Sequence, residues 1–122
     1  MTEQSGPEEI WRAALAEGRF MLQKGLADGN YVFPPRTMAP GTGADDLEWV
    51  EAAGGGSVYS VTVISPRPPL EPYNVVLVDL DEGPRVMSRV EGLPAQAVKI
   101  GMRVRARIGE EAGTPILLFE PA

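Results

Sequence analysis

The apolar positions change period along the chain. Ile10, Trp11, Ala14 and Leu15 recur at helical spacing. Ser5-Gly6-Pro7-Glu8, just before them, has the Ser-x-x-Glu spacing of a capping box with proline in the first turn. Together they predict a helix over residues 7–17, ended by Gly18. Trp11, on its apolar side, reads as a packing anchor rather than a ligand platform. Beyond residue 20 the period falls to two. Residues 20–23 and 31–33 read as short strands, and Pro34-Pro35-Arg36 leaves the second in an extended conformation. Pro40-Gly41-Thr42-Gly43 then makes a loop. This hairpin has few apolar residues with which to hold itself together. Six further strands follow, over residues 47–51, 57–64, 74–80, 85–90, 102–108 and 115–120. Their connections hold Gly54-Gly55-Gly56, Pro66 to Pro72, and the tight turn Asp81-Glu82-Gly83-Pro84. Residues 102–108 alternate strictly, which sends Met102, Val104, Ala106 and Ile108 to one face and Arg103, Arg105 and Arg107 to the other.

Fourteen Gly and twelve Pro among 122 residues suit this succession of strands and turns, and the length allows one modest core. Five or six strands suggest a small closed barrel, which the five-stranded OB-fold accommodates with a binding face on its middle strands. No apolar stretch approaches the roughly 20 residues that cross a bilayer. The N-terminus is acidic and polar where a signal peptide is basic and then apolar, so a cytoplasmic location is expected.

The chain has no Cys and no His. That removes thiolate and imidazole nucleophiles, Ser-His-Asp relays, disulfides and nearly every zinc, haem or iron–sulfur site. Asp, Glu, Lys and Tyr remain as acid–base groups, and a carboxylate serves only where its surroundings raise its pKa. Asp79 and Asp81 read more simply as residues of a strand end and turn. A non-catalytic protein without cofactor or metal is the expectation. The net charge is −6, yet residues 85–107 hold six basic residues against Glu91 alone. Such a segment suits phosphates, carboxylates or an acidic partner surface, or forms a solvated outer face that blocks edge pairing.

Three runs in order carry a resemblance: Phe33-Pro34-Pro35-Arg36, Leu47-Glu48-Trp49-Val50, and Gly56 to Val63. Pro72-Tyr73, Leu80-Asp81-Glu82-Gly83-Pro84-Arg85 and Ile100-Gly101-Met102-Arg103-Val104 extend it over nearly the whole chain. In these the sequence resembles the zinc-ribbon plus OB-fold family long labelled domain of unknown function 35. The resemblance implies a mainly β architecture in three parts: an N-terminal helix (1–19), a ribbon-like hairpin (20–46) and an OB barrel (47–122). The family's four zinc cysteines fall on Gly25, Asp28, Ala39 and Thr42, so the ribbon is degenerate and metal-free here. A structural zinc contributes on the order of 10–16 kcal/mol in isolated fingers, so packing or a partner must offset its loss.

Members of that family are described as accessory proteins of acyl-CoA metabolism that pair with thiolase-like, aldolase or hydratase enzymes. The resemblance therefore implies a non-catalytic subunit that binds acyl-CoA, docks on such an enzyme, or does both. Arg67, Tyr73, Arg103 and Arg105 are the candidate contacts with ligand or partner. Two other functions compete. OB-folds also bind single-stranded nucleic acid on a basic, aromatic groove, although a sequence pI near 4.6 and eight aromatics weigh against it. A self-associating module is the other, if the zinc-less hairpin needs a second copy to bury Tyr31, Phe33 and Met38.

Overall fold

The computed structural model describes residues 6–26, 29–35 and 47–122. Helix α1 spans Pro7–Ala16 with proline in its first turn and Glu8 and Glu9 near its positive end. Its cap lies one residue later than the sequence suggests. Gly6 is the N-cap, and its N–H donates to the Glu9 carboxylate at 3.3 Å. Glu8 turns away to Arg12, 2.9 Å distant and one helical turn on. Ala14 and Leu15 are the buried residues of the helix.

Strands β1 (Met21–Gly25), β2 (Tyr31–Val32) and β3 (Leu47–Glu51) form an antiparallel sheet in the order β2-β1-β3. The β3 run, placed by the sequence at the start of the barrel, thus pairs along its whole length with β1, from Met21↔Glu51 to Gly25↔Leu47. The Ala52 N–H continues that ladder to Phe20 O. The chain then turns at Gly54, with φ +91°, and enters the barrel.

The second sheet holds β4 (Gly55–Ile64), β5 (Tyr73–Leu80), β6 (Arg85–Ser88), β7 (Arg103–Glu111) and β8 (Thr114–Pro121) in the order β6-β5-β4-β7-β8. A parallel bridge between Val90 and Phe119 joins its two edges. The Glu91 N–H reaches Phe119 O (2.8 Å), and the Phe119 N–H reaches Arg89 O (3.0 Å). This is the expected mainly β fold: one helix and a nearly closed five-stranded OB barrel. Inside the bridge, Asn74 is 1% exposed and exchanges two hydrogen bonds with the Val90 backbone: Nδ2 to Val90 O (3.1 Å) and Val90 N to Oδ1 (2.9 Å). Its amide thus extends the ladder where β6 has ended.

Val58, Val76, Val78, Val86, Val104 and Phe119 fill the barrel, and Phe20 and Leu22 of the first sheet belong to the same cluster. Gly56 permits the tight crossing of β4 and β5, because a Cβ there would lie 2.7 Å from Val78 Cγ1 and 2.8 Å from Asp79 O. The β5–β6 turn grips the link between the sheets. Glu82 accepts from the Ala53 N–H at 2.7 Å, and the Asp81 N–H donates to Gly55 O at 3.0 Å. Among the described residues no helix is long and apolar enough to cross a membrane.

Candidate functional site

Register decides which side chains share the outer surface of the barrel. Arg85 stands opposite Asp79, Asp79 opposite Ser57, and Ser57 opposite Arg103, which makes one polar row across β6, β5, β4 and β7. Every arginine in that row has a carboxylate. Arg85 Nε lies 2.6 Å from Asp79. Arg103 grips both oxygens of Asp81 at 2.8 Å and donates to Ser57 Oγ at 3.0 Å. The Arg103 hydrogen bonds hold the Asp81 carboxyl below its ordinary range, and Asp81 in turn raises Arg103. Asp79 raises Arg85 in the same way. Further along β7, Arg105 pairs with Glu120 at 2.6 Å and Arg107 with Glu91 at 2.7 Å. Arg89 adds Glu91 at 2.9 Å and Glu111 at 3.7 Å.

The five arginines of the cationic segment are therefore neutralised by the chain's own carboxylates. Among the described residues, Arg67 and Lys99 are the cations with neither an ion pair nor a ring contact. Asp79 and Asp81 are half-exposed partners of arginine, and Asp81 is shifted away from the raised pKa that an acid–base catalyst needs.

The candidate contact residues do not converge. Arg103 lies opposite Ser57, whereas Tyr73 lies opposite Ile64, seven positions along β4. At about 3.3 Å per residue that is roughly 23 Å along the strand. Arg67 sits in the β4–β5 loop, where its carbonyl accepts from the Leu70 N–H, beside the Tyr73 end. Tyr73 also lines a groove of about 460 Å³ with Asn74, Arg89, Val90 and Glu91. Two pairs within that groove are mutually engaged, Asn74 with Val90 and the Arg89 terminal nitrogens with Glu91, while the buried Arg89 Nε has no hydrogen-bond partner among the described residues.

The ribbon positions do not fit zinc. Gly25 contributes no donor side chain, and its backbone closes the hairpin with Asn30 and Gly29 at 2.9 Å each. Asp28, Ala39 and Thr42 lie outside the described residues, as does Met38. One carboxylate and one hydroxyl do not replace four thiolates. Among the described residues no group of three or more His, Cys, Asp or Glu comes together. Packing takes the metal's place. The Trp11 ring meets Phe20 and Phe33 edge-on at 6.4 and 5.6 Å, and its indole N–H donates to Met21 O at 3.0 Å. Tyr31 and Phe33 thus pack within their own chain.

A surface that the arginine pattern did not disclose adjoins the polar row. Met87 stands opposite Leu77 and Leu77 opposite Ser60, followed by Val75 opposite Thr62 and Tyr73 opposite Ile64. A β-bulge between Val58 and Ser60 leaves Tyr59 unpaired. It turns the ring outward, where the Arg85 guanidinium lies 3.4 Å above its centroid. Met87 is 71% and Tyr59 50% exposed.

The barrel topology agrees with comparison to known proteins. Residues 49–109 match the family model for the C-terminal OB-fold domain of ChsH2. The chain belongs to that family. It is 38% identical over 98 residues to a probable enoyl-CoA hydratase alpha subunit of Thermomonospora curvata, covering 78% of this chain and 31% of that protein. A domain of unknown function 35 scaffold protein of Methanothermobacter thermautotrophicus is 30% identical over 99 residues, covering 77% and 74%. The solved structure of the Ltp2-ChsH2(DUF35) aldolase contains a chain with TM-score 0.82 and 32% identity, covering 99% of this chain and 98% of that one. The chain spans about a third of the length of the hydratase alpha subunits it matches.

Proposed function

We propose that this protein is a non-catalytic accessory subunit that docks on an enzyme of acyl-CoA metabolism of the aldolase, hydratase or thiolase type. The observation that supports this most is the end-to-end likeness to the OB-fold chain of an aldolase assembly, at 32% identity and TM-score 0.82. The chemistry of the chain agrees. Asp79 and Asp81 are tied to arginines on the surface, and the chain has no Cys or His with which to carry a nucleophilic step. Docking is favoured over direct capture of acyl-CoA, because Arg103 and Arg105 already hold Asp81 and Glu120. Single-stranded nucleic acid is disfavoured on the same ground, since each phosphate contact needs a cation free to give it.

Affinity capture with the tagged full chain from the cytosol of the source cells, followed by mass spectrometry, tests this reading. A stoichiometric acyl-CoA enzyme is the expected catch. Recovery of the protein alone, or with nucleic acid, would leave the likeness as one of fold without shared role.

A further inference from the structure

We infer that the outer face of β4–β5–β6, centred on Tyr59, Leu77 and Met87, is where an apolar, uncharged patch of the partner enzyme packs; this rests on the accessory reading above. Two surfaces of one barrel carry the inference. Antiparallel strands with one solvated face alternate apolar inside and polar outside. On β7 that rule holds, and Arg103, Arg105 and Arg107 form the outer set. On β5 it fails. Val76, Val78 and Leu80 fill the core, while Tyr73, Val75 and Leu77 look outward. The opposing β6 residue, Met87, is among the most exposed large apolar side chains of the protein. A strand apolar on both sides is the pattern of a strand covered on both sides.

The rim indicates what covers it. The polar row beside the patch is closed upon itself, Arg85 with Asp79 and Arg103 with Asp81. Along this edge it therefore offers no net charge to a phosphate or to an acidic segment, and the surface matching the edge is neutral; Arg67, unpaired among the described residues, lies in the loop beside the opposite, Tyr73 end. Arg85 is held from two sides, by the Asp79 carboxylate and the Tyr59 ring, so little of its freedom is left to lose on contact. An aromatic ring, a methionine and an arginine around an apolar centre are the residues in which protein interfaces are enriched. The expected occupant is thus a protein surface of the enzyme chain rather than its anionic substrate.

Capture with Met87→Asp and, separately, Tyr59→Ser tests this, with the exposed Arg12→Asp on α1 as a control. Each variant replaces an exposed side chain, and an unchanged unfolding midpoint checks that the fold is intact. Both face variants should recover at least roughly tenfold less of the acyl-CoA enzyme than the wild type and the control do. Undiminished recovery by both overturns the surface assignment and leaves the accessory role standing. Absence of such an enzyme from the wild-type catch overturns both. A wild-type dimer in light scattering that Met87→Asp disperses would assign the face to a second copy and overturn the enzyme as its occupant.

Discussion

The helix with its three-stranded sheet and the barrel beside it are held together by different means. In the first, one aromatic cluster does most of the work: Trp11 over Phe20 and Phe33, with a single indole hydrogen bond to β1. In the barrel, an aliphatic core is sealed by a ladder that closes at Val90 and Phe119 with the help of Asn74. The difference shows how a ribbon can do without its metal. A hairpin too small to bury its own residues borrows a face from the neighbouring helix and shares its inner side, Phe20 and Leu22, with the barrel.

The comparison breaks most visibly at Trp11. Trp11→Ala removes the half-buried centre of the cluster, at a cost of about 2–3 kcal/mol. Trp49, the second of the two tryptophans, lies on β3 and reports on this sheet by its fluorescence. Its signal should shift in the variant before the barrel's circular dichroism is lost. Coincident transitions at the wild-type midpoint would show that the cluster is not the support described here. Chelation with EDTA should leave the wild-type midpoint unchanged, and a fall would reveal a metal contribution.

At Asn74 the barrel is tested in turn. Asn74→Ala strands the Val90 N–H and C=O, both of which Asn74 satisfies in the buried seam, at about 2–3 kcal/mol in all. The loss should appear as faster amide exchange at residues 89–91 and 119, with the Trp49 signal unaltered. Protection that stays at the wild-type level would show that the Val90–Phe119 bridge closes without the amide.

Glu82 sets how firmly the two regions are joined. Glu82→Ala deletes the acceptor of the Ala53 N–H and should cost about 1 kcal/mol, while each sheet keeps its own ladder. Faster exchange at Ala53 alone is the expected result. A collapse of the whole fold would mean that the turn supports more than the link.

Much of this was legible in the sequence and some was not, for reasons that particular residues make plain. The helix and the strand runs follow from local period and turn chemistry, which depend on neighbours a few positions apart. The alternation of β7 gave its arginine face directly. What those arginines hold was out of reach, because Arg103 meets Asp81 across 22 positions, through strand order and register. Tyr59 faces outward because of one extra residue in β4, and a bulge leaves no mark in a strand's composition. The second face of β5 was visible as the run Val75-Val76-Leu77-Val78, which marks a strand but does not say that both sides are apolar until the inner side is known. Tyr73, chosen as a contact from its strand end, lies opposite a β4 position seven residues from the one opposite Arg103, and Arg67 sits in the loop beside the Tyr73 end.

The smallest expected effect concerns the ion pairs of the polar row. The folded pKa of Asp81 is lowered by Arg103, so the unfolded chain takes up its proton first as acid is added. The contribution of this group is present above its ordinary value of 3.8 and is lost as the pH falls through the lower folded value. Asp81→Asn should therefore lower the neutral plateau by the small amount this exposed pair contributes and flatten the acid limb below about pH 4, where the variant and wild-type curves converge. The same substitution leaves Arg103 without a carboxylate, held by Ser57 Oγ. If neutralisation by Asp81 is what turns this barrel away from anions, the variant should bind coenzyme A more tightly than the wild type in calorimetric titration. The gain should vanish in the Asp81→Asn, Arg103→Ser double variant. Equal binding by wild type and Asp81→Asn would mean that some other feature keeps anions from the row, and the contrast between its polar and apolar surfaces would then rest on shape rather than charge.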